Sequence, residues 1–281
     1  MSRALPAGPP ALPGPMWSEL AGLRDALRAE WTKLRTTAGP AWLLAATVVL
    51  TVAVSLAATA AVRCPAGTAC PVDTTKLSLT GIQCGQAVVA ILAVLAISGE
   101  YSSGMIRTTL TAMPRRTTML AAKAAIITGL VLAAGTAGVL GSVLAGRLIL
   151  PGHGFTAARG FPPLSLGDGP TLRAAVGSVL YLGLVALLSL GVATAVRDSA
   201  VAIGVVLGLL YLFPVIAQVV TSPHWHQHVE AAGPMTAGLA IQATTGLHDL
   251  PIQPWAGLGV LAAWAAAALV TGGTLLRLRD A

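Results

Sequence analysis

Six long stretches of the chain contain neither a charged residue nor a histidine, and polar segments separate them. These stretches are Ala41–Val62, Leu79–Ser98, Ala124–Gly146, Ala174–Val196, Ala200–Val220 and Trp255–Leu276. Each is about 20 residues long, the length that a helix needs to cross a hydrocarbon core about 30 Å thick. The pattern therefore predicts an all-α membrane protein in which residues 41–276 form one domain of six transmembrane helices.

A second hydrophobic pattern precedes the first span. In residues 17–36, large apolar side chains recur every three or four positions, which predicts an amphipathic helix lying on the inner membrane surface. The residues expected to hold this helix at the interface are Trp17, Arg24, Arg28, Glu30, Trp31, Lys33 and Arg35. Residues 1–16 are rich in proline and are predicted to form a disordered tail, and residues 277–281 a cytoplasmic tail.

Composition supports a membrane protein and changes the meaning of the net charge. Hydrophobic residues make up 55% of the chain and charged residues 10%, whereas soluble domains have about 25% charged residues. The formal net charge of +7 therefore favours contact with the anionic inner surface of a bilayer, and no nucleic-acid partner is expected. With the N-terminus inside, 12 of the 17 Lys and Arg residues lie on the cytoplasmic side, so both termini are predicted to be cytoplasmic.

One further uncharged segment, Ala231–Leu247, allows a second topology. Counted as a seventh span, it would move Arg277 and Arg279 to the outside. The segment is short and contains Gly233-Pro234 together with polar residues, so we interpret it as a re-entrant or surface-lying piece.

The charged loop between the second and third spans is the strongest candidate for a functional element. Ser102–Leu110 is predicted to form a short helix that begins with a capping serine and ends before Pro114. Met105, Ile106 and Leu110 would form its apolar ridge. Such a helix, flanked by positive charge, suits docking into a groove on a partner protein. The alternative is an ordinary basic inner loop without a partner.

Motifs for independent catalysis are missing from the sequence. It contains no GxxxxGK[ST] loop for ATP phosphates, no HExxH zinc motif and no nucleophile elbow, so the chain is not expected to be an enzyme by itself. Ion- and proton-coupled carriers usually need ionisable groups within the membrane, and the six spans have no Asp, Glu, Lys, Arg or His. These absences favour a transport subunit energised by a partner, although a passive or purely structural membrane protein also fits them.

Cysteine and histidine mark the predicted outer loops. Cys64 and Cys70 can form a disulfide or remain two free thiols. His224, His226 and His228 could lie on one side of an extended strand, and imidazole is a common ligand of Zn and Cu. No acid or cysteine stands at a compelling spacing, so no metal site is predicted and a histidine-rich polar loop is favoured.

Three motifs together resemble those of ABC-2 type exporter permeases, and most closely the short six-span permeases common in actinobacteria. They are AEWTKLRTT at Ala29–Thr37, SGEYSSGMIRTTLTAMPRRTTMLAAK at Ser98–Lys123 and the C-terminal LRLRDA at Leu276–Ala281. The resemblance covers the chain from about Glu19.

This resemblance implies the permease subunit of an ATP-binding-cassette exporter in a bacterial cell membrane. In that family the permease has no cofactor of its own, and a separate ATPase subunit binds ATP and Mg. The permease works as a dimer, with a second copy or a sister permease, on two ATPase subunits. The loop between spans two and three forms the coupling helix that docks on the ATPase. The matching residues are Glu100, Tyr101, Gly104, Met105, Ile106, Arg107, Leu110, Pro114, Arg115 and Arg116.

The alternative function is a non-transporting membrane immunity or sensor protein that binds an extracellular ligand. A membrane-embedded enzyme is a third, weaker hypothesis, because acids and histidines are predicted only outside the spans. A stable partner with an ATP-binding loop would distinguish the transporter from both. The substrate stays open, although Gln83, Gln86 and Gln218 are sparse polar groups that fit an amphipathic or lipid-like cargo.

Overall fold

The computed structural model describes residues 15–65, 70–102 and 116–279, and these residues form helices and connecting loops without a β-strand. Its α-helices are α1 (Pro15–Thr36), α2 (Ala38–Ala61), α3 (Thr74–Ser78), α4 (Ile82–Ser102), α5 (Arg116–Ile149), α6 (Gly169–Val196), α7 (Ser199–Val219), α8 (Pro223–Ala232), α9 (Pro234–Leu239) and α10 (Pro254–Arg279). Six of them, namely α2, α4, α5, α6, α7 and α10, are long and apolar enough to cross a membrane. Each corresponds to one predicted span, which confirms the prediction of an all-helical chain with six candidate spans.

Helix α5 is longer than the span predicted within it. The span was placed at Ala124–Gly146 because that stretch lacks charge, but the helix also includes Lys123 and Arg147. A charged side chain does not end a helix, whereas a proline does, and Pro151 follows the end of α5. The 34 residues of α5 extend about 51 Å, so the helix exceeds a hydrocarbon core about 30 Å thick.

Helix α2 turns its polar face toward the protein interior. Four buried hydroxyl residues recur every four positions: Thr47, Thr51, Ser55 and Thr59. The opposite face exposes Val49, Leu50 and Leu56. This is the inverse of a helix in a soluble protein, because lipid solvates apolar side chains, while two of the four buried hydroxyls donate to carbonyls of their own helix.

Close packing of α2 against the start of α4 depends on two glycines. A Cβ at Gly81 would lie 1.9 Å from the Thr51 carbonyl oxygen, and one at Gly85 would lie 2.3 Å from Thr51 Oγ1. The Gly81 N–H donates to Ser55 Oγ at 3.1 Å. The two helices therefore approach at a distance that leaves no room for a side chain at either glycine.

Helix α6 lies at the centre of the bundle and contacts α4, α5, α7 and α10. Its fully buried large side chains are Tyr181, Leu182, Leu188 and Leu190. The Asp168 carboxylate caps its first turn by accepting from the Thr171 N–H at 3.4 Å, and Asp198 caps α7 by accepting from the Val201 N–H at 2.8 Å. We call the end of the bundle that holds the α6–α7 turn the inner end, and the opposite end the outer end.

Helices α8 and α9 meet at Gly233 and pack against α7 and α10 at the outer end. The turn at Gly233 packs against Phe213, and the Trp264 indole N–H donates to the Ala232 carbonyl at 3.1 Å. Trp264 lies ten positions into α10, about 15 Å from its outer end, and Phe213 lies about 9 Å from the end of α7. Neither α8 nor α9 is long enough to cross a bilayer, so the uncharged segment Ala231–Leu247 is not among the six candidate spans.

Polar contacts tie the segment that follows α9 to the loop between α2 and α3. The Asp73 carboxylate accepts from the Thr244 hydroxyl at 2.8 Å, from the Thr245 N–H at 3.1 Å and from the Lys76 N–H at 3.0 Å. Cys64 and Cys70 form a disulfide in the same loop, with their Cα atoms 6.0 Å apart. The outer end is therefore closed by hydrogen bonds between segments that are far apart in the sequence.

Candidate functional site

The structure describes the two flanks of the charged loop between α4 and α5. Seven residues of the predicted coupling set lie outside the described residues: Gly104, Met105, Ile106, Arg107, Leu110, Pro114 and Arg115. The predicted Ser102–Leu110 helix also lies outside them apart from Ser102, which ends α4. Glu100 and Arg116 lie in the flanking helices α4 and α5, and Tyr101 is half-buried at the end of α4.

On the exit side of the loop, a buried ion pair joins α5 to α1. Lys123 Nζ lies 2.7 Å from Glu30 Oε2, and the two side chains keep only 3% and 5% of their surface exposed. Lys123 stands two helical turns after the start of α5, and the neighbouring Met119 and Ala122 are fully buried. The first residues of α5 are therefore held against the N-terminal helix.

The position of Glu30 on α1 explains how the ion pair forms. Ala26 and Glu30 are one turn apart, so they share a face of the helix, and both are buried. Arg24 and Arg28 are exposed, and Trp31 keeps 45% of its surface exposed. Lys33 is half-buried, and the side chains of Trp17 and Arg35 lie outside the described set. The helix thus contacts α5 through its Ala26–Glu30 side and leaves the neighbouring basic and aromatic side chains at the surface.

Because the Glu30–Lys123 ion pair is buried, breaking it costs much free energy. Both charges have left water, and each is compensated by the other at hydrogen-bonding distance. Such a pair adds little net stability compared with apolar residues, but removing one member leaves an uncompensated buried charge. The pair therefore acts mainly to hold α1 and α5 in one arrangement.

On the entry side of the loop, α4 contacts the turn between α6 and α7. The Arg197 guanidinium lies over the Tyr101 ring, 5.3 Å from its centroid, which is a cation–π geometry. Arg197 has a left-handed backbone with φ of 66° and ends α6, and its N–H donates to the Ala193 carbonyl. The inner end of the central helix therefore touches the residue that opens the loop.

Sequence reasoning did not predict either flanking contact. The structure buries Lys123 against Glu30, a contact that the sequence motif ending at Lys123 does not predict. The available signal was that Glu30 is an acid within a basic helix and Lys123 directly precedes an apolar run. Pairing them requires the tertiary structure, because they stand 93 positions apart.

The glutamines of the spans do not behave as a set. Gln86 is fully buried, where its amide donates to Met235 Sδ at 3.1 Å and its carbonyl oxygen accepts from the Tyr181 hydroxyl. Gln83 and Gln218 are exposed on the surface of the bundle. Gln86 therefore belongs to the packed interior of the protomer, and it is Gln83 and Gln218 that face outward.

The histidines after α7 lie on a helix, not on an extended strand. Residues one turn apart share a helical face, so the rings of His224 and His228 lie together, with centroids 4.4 Å apart and planes tilted by 40°. His226 points elsewhere, with Nδ1 3.7 Å from Glu230 Oε2. The three imidazoles therefore do not share one side, and within the described part of the chain no three His, Cys, Asp or Glu residues come together as metal ligands.

Comparison with known proteins does not identify a family for this chain. No protein-family model matches the chain, and no curated protein sequence matches it significantly. Six apolar helices long enough to cross a bilayer are typical of a multi-pass membrane protein. A more specific function has to rest on the residues of this chain.

Proposed function

We propose that the chain is the permease subunit of an ATP-binding-cassette exporter of the ABC-2 type. It would form the substrate path in a bacterial cell membrane, with both termini in the cytoplasm, and a separate ATPase subunit would bind ATP and Mg. The observation that carries this proposal is the anchoring of the charged loop on both sides, by Tyr101 against Arg197 and by Lys123 against Glu30. Flanking helices held in this way can pass a force applied to the loop between them into the other membrane helices.

The two anchors suggest how force would spread. On the entry side, movement of the loop would reach the α6–α7 turn through Tyr101 and Arg197. On the exit side, it would reach α1 through Lys123 and Glu30. Closure of the ATPase dimer would thus tilt α4 and α5 and shift the central helix α6, which packs against both. A path would then open at the interface between two permease protomers.

Purification of the tagged chain from its native membrane in mild detergent tests this proposal. Mass spectrometry is expected to detect a soluble subunit with a GxxxxGK[ST] motif in an approximately one-to-one ratio. If the chain is recovered alone from several detergents, ATP coupling is contradicted. The alternative, a sensor or immunity protein with an extracellular ligand, then takes its place, and the closed outer end around Asp73 becomes the surface to test for ligand binding.

Charge reversal in the loop is expected to uncouple the ATPase. Ile106→Asp and Arg107→Asp would place negative charge on the apolar ridge and the basic flank, so partner-stimulated ATPase activity should fall by about tenfold or more. Arg63→Asp, an exposed change at the outer end, is the matched control and should leave the activity unaltered. Unchanged stimulation in both loop variants would count against the docking role.

An open face on α7 supports a second permease copy as partner. Gly204 and Gly208 stand one helical turn apart on α7, and a Cβ added at either position would meet no atom within 4 Å. Small residues at this spacing let the helices of neighbouring protomers approach each other closely.

A bulky residue on this face is therefore expected to weaken the dimer and leave the protomer folded. We expect Gly208→Leu to lower the dimer fraction at least several-fold, as measured by cross-linking in native membranes. Gly129→Leu is the control, because Gly129 is an open glycine on α5 without a partner glycine one turn away. An unaltered dimer fraction in Gly208→Leu would exclude this face as the contact between copies.

A further inference from the structure

Two histidines on α8 have the arrangement of a metal-binding pair. His224 and His228 are both exposed, and they stand one helical turn apart near the start of the helix. Their ring centroids are 4.4 Å apart and their planes are tilted by 40°. Histidines at this spacing on a helix can direct two nitrogens at a single ion, as they do in helical zinc motifs.

The separation of the rings fits coordination at a right angle. Imidazole nitrogens bind transition metals at about 2.0–2.1 Å, which places each ring centroid about 3.2 Å from the ion. Two such rings at 90° have centroids about 4.5 Å apart, and at the tetrahedral angle about 5.2 Å. The observed 4.4 Å agrees with the first value. The two rings are therefore close enough for one nitrogen of each to bind the same ion.

We propose that His224 and His228 bind a divalent transition-metal ion, with Cu²⁺ preferred and Ni²⁺ next. Both ions favour square-planar or tetragonal sites with nitrogen ligands, and Cu²⁺ binds such ligands most tightly in the divalent series. The two imidazoles supply adjacent ligands, and water or a small anion fills the other positions. His226 takes no part, because it lies on another side of the helix next to Glu230.

Bound metal would stabilise the start of helix α8. The ion would connect consecutive turns of α8, which otherwise begins after an exposed Ser222 without a side-chain cap. The site is independent of the proposed ATP coupling, because it uses groups at the outer end of the bundle only.

Trp225 provides a reporter for the site. Its ring centroid lies 6.4 Å from both His224 and His228. Cu²⁺ is paramagnetic and quenches the fluorescence of an indole at this distance. The full-length protein, purified in detergent without a histidine tag, is titrated with CuCl₂ while tryptophan fluorescence is recorded, and isothermal titration calorimetry gives the affinity and stoichiometry.

We expect one Cu²⁺ per chain and an affinity that falls by about tenfold or more in His224→Ala and in His228→Ala, because each loses one of two ligands. His226→Ala is the matched control and should bind as the original protein does. Trp225→Phe should bind equally well with less quenching. Electron paramagnetic resonance of the copper complex should show two nitrogen ligands. Equal affinity in His228→Ala, or a spectrum without two nitrogens, would overturn the proposal.

Discussion

Replacing Lys123 with methionine is expected to destabilise the protein strongly and to loosen α1 from α5. The change leaves the Glu30 carboxylate almost fully buried without the ammonium group that now lies 2.7 Å away. Removing one member of a buried ion pair costs about 3–5 kcal/mol, because the remaining charge has neither water nor its partner. Thermal unfolding of the purified protein, followed by circular dichroism, measures this loss.

Two further variants distinguish the ion pair from a general effect of mutation. Arg28→Met removes an exposed positive charge from α1 and should change the unfolding temperature little. Replacing both members of the pair, Glu30→Leu with Lys123→Met, removes both buried charges and should recover much of the stability lost in the single variant. A Lys123→Met protein as stable as the original, or a double variant that is worse than the single one, would contradict this account.

Under the proposed function, the same double variant has a second use. It would restore contact between α1 and α5 through apolar packing while removing the directional ion pair. If the ion pair transmits force, transport driven by the ATPase partner should stay below that of the original protein in the double variant, although its stability recovers. Full recovery of both would mean that the contact matters only for folding.

Replacing Gly81 with leucine is expected to prevent α2 from packing against α4. A Cβ at this position would lie 1.9 Å from the Thr51 carbonyl oxygen and 2.7 Å from Ser55 Oγ. The obstacle includes backbone, which cannot move aside as the end of a flexible side chain can, so the cost should exceed the 1–3 kcal/mol or so that is typical of overpacking. We expect little folded protein, as measured by the monodisperse fraction in size-exclusion chromatography.

The control for this prediction is the same change at a glycine that meets no neighbour. Gly129 lies on α5, where an added Cβ would find no atom within 4 Å. Gly129→Leu should therefore yield as much monodisperse protein as the original chain. A normal yield of Gly81→Leu would show that the spacing between α2 and α4 can relax.

Much of the fold follows from local patterns in the sequence. Uncharged stretches of sufficient length predict the six long helices, because a chain in lipid satisfies its backbone hydrogen bonds within each helix. Gly233-Pro234 is one reason for not counting Ala231–Leu247 as a seventh span, and in the structure α8 ends and α9 begins at this dipeptide. The ends of helices were predicted less well, since absence of charge marks the membrane core whereas proline ends the helix, as Lys123 and Pro151 show for α5.

The candidate site could be predicted only in part. The charged loop stands out in the sequence, but the groups that anchor it come from α1 and from the α6–α7 turn. The histidines show a related difficulty. Alternation suggested an extended strand, but the helix brings His224 to His228 and separates both from His226. A pattern of three residues does not reveal which backbone period it follows.

By itself, the sequence determined the membrane class, the number of long apolar helices and the place of the charged loop. The hydropathy and the length of each apolar segment are local properties, so they can be read from the sequence without knowing which helices pack together. Only the tertiary structure decided that Glu30 pairs with Lys123 and that Asp73 binds Thr244, across 93 and 171 positions. Such contacts depend on how helices pack and rotate, and an individual acid or threonine carries no signal of its distant partner. The physical reason is that burial makes these polar groups find partners in space, wherever the fold brings them.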